Sequence, residues 1–307
     1  MSAELGRFIL GTGGIGGMAA VTGPGIGLSE EQGHRLIDRA VREGFTVLDT
    51  ADVYGLGNSE RILGAWNRAH PGAPVLIQSK TGFTAGGPDL SPDRVRRQLR
   101  HSIDVLGRVD LYLAHAVDPD TPWSESLPVF SAAVEEGTIR AYGLSNVDEK
   151  ALTAALETAD RLALARPELI QNQYSLLARA DDRGVLPIVE SEGLAYTPFS
   201  PLANGVLAGR YSNGEKPEPG SRAGLGHRAG GLLADDETMA KVRRFDRLAE
   251  QHHVTPAGLA LAWLINHPAV TAPIVGPSKE SHWQGIIEAP GVAWTAQLGE
   301  ELDALFA

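Results

Sequence analysis

Cysteine is absent from all 307 residues, which excludes disulfide staples, a thiol nucleophile and thiolate metal sites, and fits a reducing compartment. Apolar runs of bilayer length are also missing. The N-terminal stretch MSAELGRFILGTGG lacks the charged segment and long apolar run of a secretory signal, so a cytoplasmic protein with no membrane partner is expected. Basic residues are scarce: 27 Lys and Arg against 38 Asp and Glu leave a formal net charge of −11. That balance argues against an electrostatic grip on nucleic acid or anionic lipid. The nine histidines show no H-E-x-x-H or similar spacing, so no metal site is expected. A chain of this length buries roughly three quarters of the surface its unfolded form exposes, and one core over residues 1–307 suffices.

What is present is a rhythm. Short apolar or β-branched runs recur at Arg7 to Gly11, Thr46 to Asp49, Val75 to Ser79, Val109 to Leu113, Ile139 to Leu144, Leu169 to Asn172, Leu194 to Thr197 and Thr271 to Val275. Segments of helical period separate them. Ser29 and Gln32 form a capping-box pattern ahead of one, Pro92 opens another, and Gly44 and Gly107 stand where helix ends favour a left-handed residue. Strand and helix alternating eight times is the pattern of a (β/α)8 TIM barrel; a doubly wound sheet uses the same alternation, and the count and length favour the barrel. The rhythm breaks once, in the glycine- and arginine-rich segment from Asn204 to Asp235 after the seventh strand, which has no helical pattern and reads as a long loop.

Residues 11–16 read GTGGIG and match G-x-G-x-x-G. A Rossmann turn starts its helix inside that motif, because the helix N-terminus holds the pyrophosphate. Here Gly23, Pro24, Gly25 and Gly27 postpone any helix until Ser29, so the string reads instead as a loop at the end of a first barrel strand.

Barrel enzymes build their sites from the C-terminal strand ends. Asp49 ends the second run, with Tyr54 just beyond; Lys80 ends the third, His115 the fourth, Ser145 and Asn146 the fifth, Gln171 the sixth. Each alone has a structural explanation, but a polar group at strand after strand is a constellation. A lysine and a carboxylate on adjacent strands would pair, and an ammonium near a phenol favours its ionised form, which makes Tyr54 a better general acid. His115 would hydrogen-bond a substrate oxygen. Ser145, Asn146 and Gln171 suit a carboxamide. No nucleophile stands paired with a base, so acid catalysis beside a hydride carrier fits best.

From LGTGGIGG through DTADVYG, SKTG, VDLYLAH, GLSN, QNQYSLL and TPFSPLANGVLAGRY to IVGPS, the chain resembles the aldo-keto reductases. These are (β/α)8 barrels that reduce aldehydes and ketones with NADPH or NADH. The resemblance is nearest the long-loop bacterial members and the aflatoxin-aldehyde-reductase-like branch. It implies a tetrad of Asp49, Tyr54, Lys80 and His115, with Tyr54 the proton donor. It implies nicotinamide contacts from Thr12 and Gly13, carboxamide contacts from Ser145, Asn146 and Gln171, and an aromatic face at Phe199. Ser200, Pro201 and Leu202 continue the pyrophosphate wall, and Arg210 and Arg222 reach phosphates from the long loop, which acts as a lid. Gly276, Ser278, Lys279 and His282 form the last cofactor segment; there the family's arginine and its adenine-holding asparagine are missing, with Gly285 and Ile286 following.

The resulting expectation is an NADPH-dependent carbonyl reductase acting on a small-molecule substrate, with NADH as the other cofactor. One alternative is NAD-dependent oxidation of a sugar or pyridoxal-type alcohol. Another is a cofactor-binding regulatory subunit like the potassium-channel β subunits, disfavoured because no partner-binding extension stands out. Oligomeric state leaves no signature in the sequence.

Overall fold

The computed structural model describes residues 4–23, 25–212, 214–217, 224 and 228–307. Ten strands occur among them: β1 (Ile9–Gly11), β2 (Val47–Asp49), β3 (Leu76–Thr81), β4 (Phe83–Thr84), β5 (Gly87–Pro88), β6 (Leu111–Ala114), β7 (Ala141–Ser145), β8 (Leu169–Gln171), β9 (Ala195–Tyr196) and β10 (Ile274–Val275). Eight form one sheet in the order β10-β1-β2-β3-β6-β7-β8-β9, with every pairing parallel. Backbone hydrogen bonds join its two ends: Thr271 and Ala272 N–H donate to Tyr196 O at 2.8 and 3.4 Å, and Ile274 N–H donates to Pro198 O at 2.8 Å. The sheet is thereby closed, and the (β/α)8 barrel expected from the strand count is the observed fold. Each of the eight runs read from the sequence carries one barrel strand.

Parallel neighbours need crossovers, and helices supply them. They are α1 (Glu30–Arg42), α2 (Asn58–Ala69), α3 (Pro92–Leu106), α4 (Trp123–Glu135), α5 (Glu149–Arg161), α6 (Val185–Glu192), α7 (Arg228–Ala234), α8 (Asp236–Gln251), α9 (Pro256–Ile265), α10 (Trp283–Glu288) and α11 (Ala296–Phe306). The capping box is present: Gln32 N–H donates to Ser29 Oγ at 3.3 Å, and Ser29 N–H donates to Gln32 Oε1 at 2.9 Å. Gly44 and Gly107 take φ of 86° and 87° just past α1 and α3.

Two features depart from the sequence reading. A small antiparallel hairpin, β4 with β5, follows β3. Within Asn204–Asp235, expected to lack helix, residues Arg228–Ala234 form α7. Two glycines there disfavour a helix by about 1 kcal/mol each, but Ala229 is buried, and Leu232 and Leu233 pack on the main core. Tertiary burial overrides propensity.

Side chains alternate along each strand, so the sheet has two apolar populations. Ile9, Val47, Leu111, Leu113, Leu169 and Ile274 fill the barrel interior. Leu10, Leu48, Ile77, Tyr112, Tyr142 and Tyr196 face the helices in the larger core. Continuing the inward rows toward the strand C-termini brings in Asp49, Gln78, Lys80, Ser145 and Gln171, all buried. Apolar filling thus gives way to polar groups at one end of the barrel. Backbone strain gathers at that end too: of eight non-glycine residues with positive φ among those described, Ala19, Leu56, Asn146, Ser200, Ala203 and Asn204 lie on loops leaving barrel strands.

Candidate active site

Adjacent strands β2 and β3 bring Asp49 and Lys80 together. Lys80 Nζ lies 2.8 Å from each Asp49 oxygen and donates to Thr50 O at 2.7 Å and Tyr54 Oη at 3.4 Å. These partners occupy all three ammonium protons. Burial opposes the charge, but the Asp49 carboxylate and the Tyr54 phenol outweigh it and hold the lysine above its ordinary pKa. The structure therefore places a fixed, fully buried ammonium against the phenol oxygen.

Tyr54 is half-buried at the start of a short 3-10 turn, Tyr54–Gly57. His115, just past β6, packs edge-on to it, with centroids 5.7 Å apart. Burial, helped by the Lys80 charge, holds the imidazole well below its usual pKa, so it is neutral at physiological pH. Its Nδ1 is buried without a partner. An orphaned acceptor is easier to tolerate than an orphaned donor, which favours the tautomer protonated on Nε2. The hairpin adds a wall: the Phe83 ring sits edge-on to His115, centroids 4.7 Å apart.

The four side chains read as a tetrad thus converge, and the sequence reading missed what surrounds them. Gln78 Nε2 donates to Asp49 Oδ1 at 2.5 Å, and Gln171 Nε2 donates to the same oxygen at 3.2 Å. On the outer face of β3, Thr81 Oγ1 donates to Asp52 Oδ2 at 2.7 Å and Ser79 Oγ to Glu60 Oε1 at 2.5 Å, while Arg94 pairs with Asp52 at 3.5 Å. Burial raises the Asp52 pKa to about 6 and raises that of Glu60. Asp52 N–H donates to Lys80 O at 3.1 Å, which ties this layer to the site.

The glycine string acts here through backbone contact. Gly55, next to Tyr54, donates its N–H to Ala19 O at 2.6 Å. A Cβ on Gly17 would sit 2.7 Å from Gly55 Cα, and one on Gly27 would sit 2.0 Å from Gly17 O. Only bare backbone lets the loop after β1 lie flat against the loop that carries Tyr54.

The expected cofactor residues fall into three groups. Ser145 and Gln171 are paired across β7 and β8, and Asn146 Nδ2 donates to Ser145 Oγ at 3.1 Å and His115 O at 2.8 Å. Phe199, partly buried on the interior cluster, stands beside them, followed by Ser200, Pro201 and Leu202. Thr12 is buried and its hydroxyl is committed, to Asp49 O at 2.9 Å and Ser59 Oγ at 2.8 Å; Gly13 O accepts from Ala19 N–H at 2.8 Å. These two fasten the loop. At the far end, Arg210 hydrogen-bonds His282, whose Nδ1 accepts from Ser278 N–H at 3.0 Å, with Gly276 and Lys279 exposed alongside. Arg222 lies outside the described residues.

A closed parallel barrel that buries an ionised lysine, a carboxylate and a neutral histidine around one tyrosine at its strand C-termini defines an enzyme barrel. The chain belongs to the aldo/keto reductase family, whose model matches residues 9–305, and it is accordingly an oxidoreductase that uses a nicotinamide cofactor. It is 28% identical over 298 residues to the uncharacterized oxidoreductase YrpG of Bacillus subtilis, covering 92% of this chain and 89% of that protein. It is 31% identical over 284 residues to the NADH-specific methylglyoxal reductase of Escherichia coli, covering 85% and 82% respectively. A putative voltage-gated potassium channel subunit beta of Schizosaccharomyces pombe is 32% identical over 254 residues, 77% of this chain and 72% of that one. No helix among the described residues is long and apolar enough to cross a membrane.

Proposed function

We propose that the protein reduces an aldehyde or ketone to the alcohol with NADPH, and that Tyr54 is the general acid. The observation that carries this reading is the 3.4 Å approach of the Lys80 ammonium to Tyr54 Oη, with Asp49 behind it. The cofactor, when bound, supplies a hydride to the carbonyl carbon. Oxygen then gains negative charge, and Tyr54 Oη gives it a proton. Lys80 stabilises the phenolate left behind, and Asp49 keeps Lys80 charged in its dry site. His115, neutral, offers its Nε2 proton to the carbonyl oxygen and so orients the substrate without itself competing as an acid.

The residues present suit the cofactor. Ser145, Asn146 and Gln171 combine a hydroxyl with two amides, the complement of a carboxamide, and Phe199 offers a flat apolar face. Thr12 and Gly13 shape the wall near the ring; Ser200, Pro201, Leu202, Gly276 and Ser278 bound the diphosphate path. Arg210, Lys279 and His282 supply cationic or proton-donating groups for phosphates, which supports NADPH. A second reading, NADH, is supported by the missing family arginine in the last cofactor segment, which leaves fewer cationic groups to hold a 2′-phosphate. With NADH the reverse direction, oxidation of a sugar or pyridoxal-type alcohol, becomes the competing activity. The extended segment between β9 and α8 supports a place among the long-loop bacterial members, and the lack of cysteine supports a cytoplasmic setting.

Steady-state assays with NADPH and NADH, in both directions over a panel of carbonyls and alcohols, test this. Tyr54→Phe is expected to lower kcat by about 10²–10⁴-fold, the range of a lost general acid, with cofactor affinity unchanged. Near-normal turnover in that variant would overturn the assignment.

A further inference from the structure

Gln78 is fully buried inside the barrel, on β3 two residues before Lys80, and is the register partner of Asp49 on β2. Its neighbours in the interior are Val47, Leu76, Leu111 and Leu113, among which an aliphatic side chain would be at home. Instead there is an amide whose Oε1 is buried with no partner, an arrangement that disfavours folding. The other end of the same amide makes the 2.5 Å hydrogen bond to Asp49 Oδ1. A polar group kept in an apolar interior, half of it unsatisfied and the other half aimed at the carboxylate behind the proton donor, calls for a role in that donor's chemistry.

We propose that Gln78 is a positioning residue of the proton-donor site: it fixes the Asp49 carboxylate beneath Lys80 and draws off part of its negative charge, so that more of the ammonium's field reaches Tyr54. This rests on the assignment of Tyr54 as the general acid. Asp49 Oδ1 accepts from two neutral amides, Gln78 and Gln171, while Lys80 straddles both oxygens. Each donated hydrogen bond disperses carboxylate charge and makes the anion a weaker counter-charge to the lysine. Gln171 stands at the end of β8, among the groups proposed to meet the carboxamide, so a bound cofactor competes for it. Gln78 lies deeper, at the level of Leu111 in the β3–β6 register, and its bond to Asp49 is independent of the cofactor. Among the described residues, the ionisable groups facing Tyr54 are Lys80 on β3, Asp49 on β2 and His115 after β6; β7 and β8 contribute the neutral Ser145 and Gln171, and the loop after β1 contributes Thr12.

The test reads Tyr54 directly. Protein labelled with 13C at tyrosine Cζ is titrated by NMR without cofactor, the Tyr54 signal being assigned by its loss in Tyr54→Phe. In Gln78→Leu the Tyr54 titration midpoint is expected to move to higher pH by about half a unit or more. The same variant, assayed with NADPH and p-nitrobenzaldehyde, is expected to lose about threefold or more in kcat with both KM values within about twofold, and to unfold at the wild-type temperature or above. Gln78→Glu places a second carboxylate against Asp49; its loss of kcat is expected to be larger and to shrink on acidification, when one proton is shared. Gln78→Met serves if the leucine variant fails to fold. An unchanged Tyr54 midpoint in a folded Gln78→Leu or Gln78→Met protein overturns the proposal, as does a loss confined to KM. Absence of turnover in the wild type would instead count against the proposed activity, and the NMR shift would still decide the role of Gln78.

Discussion

Replacing Lys80 by Met removes a side chain of 0% exposure and leaves the Asp49 carboxylate buried with only two amide donors. Breaking a buried ion pair by deleting one partner destabilises by about 3–5 kcal/mol, because the surviving charge is left uncompensated. At about 2.1 cal/mol/K per residue, the unfolding entropy over 307 residues is about 0.6 kcal/mol/K. The melting temperature of Lys80→Met should accordingly fall by roughly 5–8 °C, measured by circular dichroism or calorimetry at pH 7. The decisive comparison is the double variant Asp49→Asn/Lys80→Met. An asparagine carbonyl still accepts from Gln78 and Gln171, and with no charge left in the site most of the lost stability should return. Activity should not, since Tyr54 then lacks its ammonium. If the two substitutions destabilise additively, with no recovery in the pair, the site does not hold a coupled charge pair and the reasoning fails.

Two further outcomes follow from the surroundings of the site. Gly17→Ala drives a methyl into the Gly55 backbone and should displace Tyr54 by a fraction of an ångström to 1 Å, lowering kcat by up to about 10²-fold with less effect on cofactor affinity; unaltered kcat would show that the two loops do not position the tyrosine. Burial raises the Asp52 pKa to about 6 from an ordinary 3.8, so the native state binds this proton more tightly than the unfolded chain. The group therefore costs stability above about pH 6 and ceases to do so as pH falls toward 3.8, a change of at most about 3 kcal/mol. Relative to wild type, Asp52→Asn should thus be most stable at pH 7–8 and lose that advantage by pH 4, as read by urea denaturation. A stability difference constant across this range would contradict the burial argument.

Much of this site was legible because Asp49, Lys80, His115, Ser145 and Gln171 each end an apolar run, and a barrel brings strand ends together. Gln78 was not, for the same physical reason that parallel strands are hard to read: both faces are buried, so alternation does not announce which polar residue points inward. Nothing in VLIQS separates the inward Gln78 from the outward Ser79 except the three-dimensional register. The hairpin carrying Phe83 escaped because strands of two residues show no period. Asp52 and Glu60 sit among ordinary loop and helix residues, and only the packing of α2 and α3 against β3 removes them from water. The partners of the Thr12 hydroxyl, Asp49 O and Ser59, were not legible either; spacing locates a residue and does not say which neighbour takes its proton. The helix at Arg228–Ala234 was hidden by Gly230 and Gly231.

The abutment of Gly17, Gly27 and Gly55 has a bearing on how such an enzyme changes its diet. Where main chain rests on main chain there is no side chain to exchange, so selection for a new substrate finds nothing to vary beside the proton donor without disturbing it. Variation is left to the rim, where Val21, Leu56 and Phe83 stand 43%, 68% and 37% exposed on the three loops that leave β1, β2 and β3. A mutagenesis library confined to those three positions would sample new specificities while the inherited chemistry stays intact.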